Sequence, residues 1–113
     1  MAAQKGENTM YASIRRYKIK TGEKEKLNRL VKDEFVPLIS GLPGFIDYYG
    51  IDAGADYWAS LSVFSTKAGA EESNRIAGDF VKKKFMGLIV GPVDITAGDV
   101  VVHETIGLKT KAA

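Results

Sequence analysis

Apolar and polar positions change period several times along the chain, and each change marks an element. "MYASIRRYKI", Met10 to Ile19, is rich in aromatic and β-branched residues and predicts a strand closed by Thr21-Gly22. From Glu23 the period lengthens. Leu27, Leu30, Val31, Phe35, Leu38 and Ile39 recur every three or four residues, which is the stripe of an amphipathic helix. Thr21 is placed to cap that helix, and Pro37, lacking an N–H for the carbonyl four residues back, predicts a kink or a tightened last turn. "GLPGF" breaks the pattern at Gly41 to Phe45. "FIDYYGI" and "YWASLSVF" then read as two strands joined by the turn "DAGAD", with Gly54 at positive φ, so they form an antiparallel hairpin. Ser65-Thr66 caps a second helix whose apolar face is Ala70, Ala77, Phe80, Val81, Phe85 and Leu88, ended by Gly91-Pro92. "VDIT" reads as an irregular link and "DVVVHETI", Asp99 to Ile106, as the fourth strand.

The order β-α-β-β-α-β predicts an α+β, ferredoxin-like sandwich: a four-stranded antiparallel sheet with both helices on one face. Residues 1–9 are small and polar and read as a disordered arm, 10–107 as the domain, and 108–113 as a C-terminal tail.

Two helices leave one side of such a sheet uncovered, so the residue sets on the two faces matter. Strand residues alternate faces. Apolarity assigns Met10, Ala12 and Ile14, Ala59, Leu61 and Val63, and Val100 and Val102 to the helix side. The open face then carries Tyr11, Ser13, Arg15 and Tyr17, Trp58, Ser60, Ser62 and Phe64, and Val101, His103 and Thr105. In strand two, a Phe45 packed under the first helix sends Ile46 and Tyr48 outward; Arg16 goes to the helix side. An open face this aromatic is expected to meet a second sheet, a flat ligand, or both.

Composition narrows the chemistry. The 113 residues fit one domain, with 45% hydrophobic residues, 27% charged ones and a formal charge of +2. That charge is too small to argue for nucleic acid or an anionic membrane, and no run approaches the ~18 apolar residues of a membrane span. The chain has no cysteine, so disulfides, thiolate metal sites and cysteine nucleophiles are excluded. No signal-peptide pattern precedes Met10, and a cytoplasmic location is the expectation. The single histidine, His103, lacks the companions a metal site needs, so no metal is expected. The glycine-containing stretches have neither P-loop spacing nor an RNA-binding octamer, so no nucleic-acid partner is expected.

"MYASIRRYKIKTGEKEKL", "FVPLISGLPGF" and "YWASLSVFSTKAGAEES", with the valine strand that follows, resemble the antibiotic biosynthesis monooxygenase-like domain of the dimeric α/β-barrel superfamily, over Met10 to Ile106. The resemblance implies a homodimer whose two open sheet faces close into a barrel. It also implies cofactor-independent oxygenation of aromatic polyketide or quinol-like metabolites, or heme degradation. Heme-degrading members use an asparagine on strand one, a tryptophan ending strand three and a histidine on helix two. This chain has Asn8 before strand one, Phe64 at the end of strand three and no histidine on helix two. Trp58 and Arg15 are similar in kind to the tryptophan and arginine of the polyketide oxygenases.

The catalytic candidates are therefore His103 and Arg15, with Tyr17, Tyr48, Trp58, Ser60, Ser62 and Tyr11 as substrate-binding walls and no bound cofactor. A histidine ordinarily titrates near ~6.5, so His103 suits a base that generates an enolate or phenolate; its plainer role is a hydrogen-bonded strand residue. Arg15 suits an oxyanion or carboxylate; its plainer role is a salt bridge with Glu104 or Asp47. The alternative to the enzyme is a dimeric barrel of the same fold that binds a small metabolite or is purely structural.

Overall fold

A computed structural model describes residues 10–106; the expected arm over 1–9 and tail over 108–113 lie outside them. Strand β1 spans Tyr11–Ile19, β2 Phe45–Asp52, β3 Tyr57–Phe64 and β4 Ile89–Asp99. Helix α1 runs as three joined pieces, Lys24–Leu30, Val31–Phe35 and Val36–Ser40, and α2 spans Lys67–Lys84. The strands form one sheet in the order β2-β3-β1-β4, every neighbouring pair antiparallel. This is the expected α+β ferredoxin-like arrangement. Among the described residues no helix is long and apolar enough to cross a membrane.

Local chemistry sets most of the boundaries. Thr66 is the N-cap of α2, its side chain accepting from the Gly69 N–H at 3.0 Å. Gly54 has φ +85° in the hairpin turn, as its position required. Thr21 does not cap α1; its hydroxyl donates to Asp56 at 2.8 Å, and Glu23 precedes the helix without a side-chain cap. Around Pro37 α1 widens instead of tightening. Val31–Phe35 is a π-turn, with the Val36 N–H bonded to the Val31 carbonyl, which re-spaces the ladder just before the residue that cannot donate.

Two expectations fail, and both failures move the candidate site. First, the faces are inverted. Ser13, Arg15, Tyr17 and Ile19 of β1 and Trp58, Ser60, Ser62 and Phe64 of β3 are the buried positions, while Ile14, Arg16 and Lys18 are exposed. The helices cover the aromatic and serine set, and Ala12, Ile14, Ala59, Leu61 and Val63 form the open face. Volume decides this: the aromatic rings sit on the covered side, where they bury most area. Arg16 lies on the open face, its guanidinium 4.1 Å from the centre of the Tyr57 ring. In β2 a bulge between Phe45 and Asp47 lets Phe45 oppose Phe64 and Tyr48 oppose Ser62, so both residues point under the helices.

Second, the fourth strand is not Asp99 to Ile106. It is Ile89–Asp99, and it includes both "VDIT" and the Gly91-Pro92 pair expected to end the helix. Gly91, at φ +77°, and Pro92 form a bulge where the register with β1 shifts between Arg16 and Lys18. The register explains where β4 stops. Tyr11, the first residue of β1, pairs with Asp99, and the Val100 N–H bonds the Met10 carbonyl just before it. Val101, Val102 and His103 follow as exposed chain without regular structure, Val101 at 87% exposure.

Candidate functional site

The buried core joins β1, β3 and both helices through Tyr17, Ile19, Leu27, Val31, Phe35, Ile39, Trp58, Phe64, Phe80 and Phe85. Inside it, between sheet and helices, is a cavity of ≈ 20 Å³, about the room one water needs. Its floor is the sheet: Arg15 and Tyr17 of β1, Trp58, Ser60 and Ser62 of β3, and Tyr48 of β2. Its roof is Val31 and Phe35 from the π-turn and Ser73, Asn74, Ala77 and Phe80 from α2.

Arg15 is the chemically unusual wall. It is only 7% exposed. Its Nε donates to the Tyr17 hydroxyl at 2.8 Å and its Nη1 to the Asn74 amide oxygen at 3.4 Å. Among the described residues no carboxylate pairs with it, neither Glu104 nor Asp47; the ion pairs present use Lys24, Lys67, Arg75 and Lys84. A guanidinium buried against neutral acceptors alone retains much of its desolvation cost. An anion in the cavity would offset it.

The neighbours suit such an anion. Asn74 Oδ1 accepts from both Ser13, at 3.0 Å, and Arg15, and among the described residues its amide N–H groups donate to no other group. Burial pushes the Tyr48 phenol well above its ordinary value, while Ser60 and the charge of Arg15 act the other way. Tyr48 is therefore a neutral donor at physiological pH. Trp58, 6.1 Å from Tyr17 between ring centres, donates its indole N–H to Asn28 of α1 at 2.8 Å. The site joins one fixed positive charge, neutral hydroxyl and amide donors, and aromatic walls. These donors suit one anionic oxygen, that of a phenolate, enolate or carboxylate, in a space with no room for a ring.

Of the residues expected from sequence, Arg15, Tyr17, Tyr48, Trp58, Ser60 and Ser62 come together around this one cavity. Tyr11 does not line it; it opposes Phe64 and packs at the edge of the core. His103 is exposed beyond β4 and outside the cavity wall, and the expectation that it shares a sheet face with Arg15 does not hold. The cavity also lies under the helices and not between two sheets. Asn74 and Asn28 were missed. Asn74 was legible in principle: with Ala70, Ser73 and Ala77 it makes the inner stripe of α2 small and polar where a core stripe would be bulky.

No protein-family model matches the sequence, and no curated protein is significantly similar to it. Solved structures are similar in fold. A protein of unknown function from Nitrosomonas europaea superposes with a TM-score of 0.73 at 18% identity, over 88% of this chain and 97% of that one. A monooxygenase of Streptomyces coelicolor, in complex with nanaomycin D, superposes with a TM-score of 0.71 at 9% identity, over 89% and 96%. A candidate antibiotic biosynthesis monooxygenase from Nitrosomonas europaea gives 0.69 at 13%, over 81% and 90%. At these identities the likeness is one of fold: the chain folds as antibiotic biosynthesis monooxygenase-like proteins do.

Proposed function

We propose that this chain is a cofactor-independent monooxygenase acting on a small aromatic, quinol- or polyketide-like metabolite held between the sheet and the helices. The observation that carries the reading is Arg15: a buried guanidinium with no carboxylate partner among the described residues, facing a cavity walled by Tyr17, Tyr48 and Trp58. Arg15 stabilises the substrate's enolate or phenolate, which draws the acidity of the bound C–H or O–H toward neutrality and lets water take the proton. The electron-rich anion then reacts with O₂. For a ring CH₂ oxidised to a carbonyl, one oxygen enters the product and the other leaves as water, so no external reductant is needed. His103 takes no part in this scheme.

The open sheet face supports a homodimer. Ile14, Tyr49 and Ile51 lie on it at 45%, 52% and 45% exposure. They flank Leu61 and Ala59 through direct cross-strand pairing, a continuous apolar surface of the kind that marks an interface.

The test is O₂ consumption with a dihydroxynaphthalene or anthrone substrate. Arg15→Ala is expected to lower the rate by about 100-fold, and His103→Ala to leave it within about twofold. An Arg15→Ala protein as fast as wild type removes the proposal. The small size of the cavity, ≈ 20 Å³, favours one second reading, a dimeric barrel that binds a metabolite without turning it over. Saturable binding of the same compounds with no O₂ uptake would establish that.

A further inference from the structure

A second space adjoins the cavity. It is an open groove of ≈ 300 Å³ between α1 and β2, bordered by Asn28, Lys32, Val36 and Gly50. Val31, Tyr48 and Trp58 line both spaces. A wall one side chain thick thus separates an anion site too small for any aromatic ring from a groove that could hold several.

Trp58 is the largest side chain of that wall. Its indole lies against Gly50, where a Cβ would come within 2.8 Å of the ring, so a side chain there would displace it. One hydrogen bond, to Asn28, ties its N–H to α1. Opposite it α1 loosens into the π-turn over Val31–Phe35, and Val31 and Phe35 both line the cavity. π-turns recur where helices serve function. The groove itself is apolar along Val36, Gly50 and the indole, with a cation, Lys32, at its exposed rim.

We propose that the cavity and the groove are two halves of one ligand site, parted by Trp58 in the closed state. The ligand is a flat, multi-ring aromatic. Its ionisable hydroxyl reaches Arg15, its further rings lie along Val36 and Gly50, and an acidic substituent meets Lys32 at the mouth. This rests on Arg15 as an anion site and adds the extent of the ligand and the route by which it arrives.

Trp58 is the sole tryptophan of the chain, so its emission reports directly on the gate. The probes are 1,8-dihydroxyanthraquinone and its 3-carboxylate. Both should quench Trp58 saturably in the wild-type protein, the carboxylate binding more tightly. Lys32→Glu should weaken the carboxylate by about tenfold and leave the parent compound within about twofold. Asn28→Leu, which frees the indole, should increase acrylamide quenching of the ligand-free protein and speed binding in stopped flow. Absence of saturable quenching, equal effects of Lys32→Glu on both probes, or an Asn28→Leu protein with unchanged accessibility and binding rate overturns the proposal. Binding that depends on the groove without O₂ uptake removes the monooxygenase reading and leaves this one standing. O₂ uptake indifferent to both variants removes this one alone.

Discussion

The two faces of the sheet reverse the usual division. The covered face presents Ser13, Arg15, Ser60 and Ser62 to the helices, and the open face presents Ile14, Leu61, Val63 and Ile51 outward. On the covered side, aromatic volume from Tyr17, Trp58, Phe64 and Phe80 closes the core around a polar centre. On the open side, aliphatic residues lie at partial exposure among the described residues. The difference shows that the side of a sheet that is buried is set by what can be packed against it. Hydropathy alone assigns the sides wrongly when a site occupies the core and an interface occupies the surface.

The sharpest break of this comparison is a pair of truncations on β3. Phe64 is fully buried, with Phe45 at 5.7 Å between ring centres. Phe64→Ala should cost about 3–5 kcal/mol in urea denaturation. Leu61→Ala, three residues away on the open face, should cost about 1 kcal/mol or less in the isolated chain. Equal losses would mean that the open face is already packed, and the contrast between the faces would collapse.

Arg15 tests whether the polar centre serves a ligand or the fold. An Arg15→Leu protein loses two hydrogen bonds, to Tyr17 and Asn74, but also a buried charge without a carboxylate. Its stability should match or exceed wild type, while its affinity for an anionic aromatic probe falls by about 100-fold, or roughly 2.7 kcal/mol. A loss of stability above about 3 kcal/mol would show that the guanidinium holds the fold together.

Much of this was legible in the sequence. The four-residue spacing of Leu27, Val31, Phe35 and Ile39 located α1, Thr66 located the start of α2, and Gly54 located the hairpin turn. The alternation in β1 and β3 sorted their residues into the right two sets. Only the side was reversed, because the rule that apolar residues face inward counted Ile14 and Leu61 above the larger Tyr17 and Trp58. The fourth strand was misplaced for a different reason. "VVVHETI" has the stronger intrinsic preference, but β1 begins at Tyr11, so ladder pairing stops at Asp99 and only the Val100 N–H, bonded to the Met10 carbonyl, carries it further. "GPVDITAGD" is a poor strand by composition and is a strand because β1 lies beside it. His103 left the candidate site with that shift. Asn74 and Asn28 sit on helices and were invisible to a search confined to strand faces.

The open face can be broken without touching the core. Ile14 opposes Leu61 on one side and Thr96 on the other, near the middle of the sheet. Ile14→Lys puts a charge at the centre of the proposed interface, where desolvating it is costly. Light scattering should change from twice the mass of the chain to the mass of one chain, with far-ultraviolet dichroism unchanged. A dimer that survives Ile14→Lys would place the interface elsewhere and leave the apolar face unexplained.

The smallest effect concerns the polarity of the covered face at high pH. Burial raises the Tyr48 phenol above its ordinary value of 10.0, so the folded chain keeps that proton after the unfolded chain has lost it. Below about pH 10 both states are protonated, and Tyr48 contributes nothing to the pH dependence. Above it the folded state binds more protons than the unfolded one, and stability falls as pH rises, by up to about 1.4 kcal/mol per pH unit from this group. Tyr48→Phe removes the ionisable group and should flatten that part of the slope between about pH 10 and 11.5 in urea midpoints, the remaining tyrosines and lysines contributing equally to both proteins. Identical alkaline slopes in the two proteins would mean that the Tyr48 hydroxyl is solvated. It would then be no part of the closed, neutral wall that the covered face presents to Arg15.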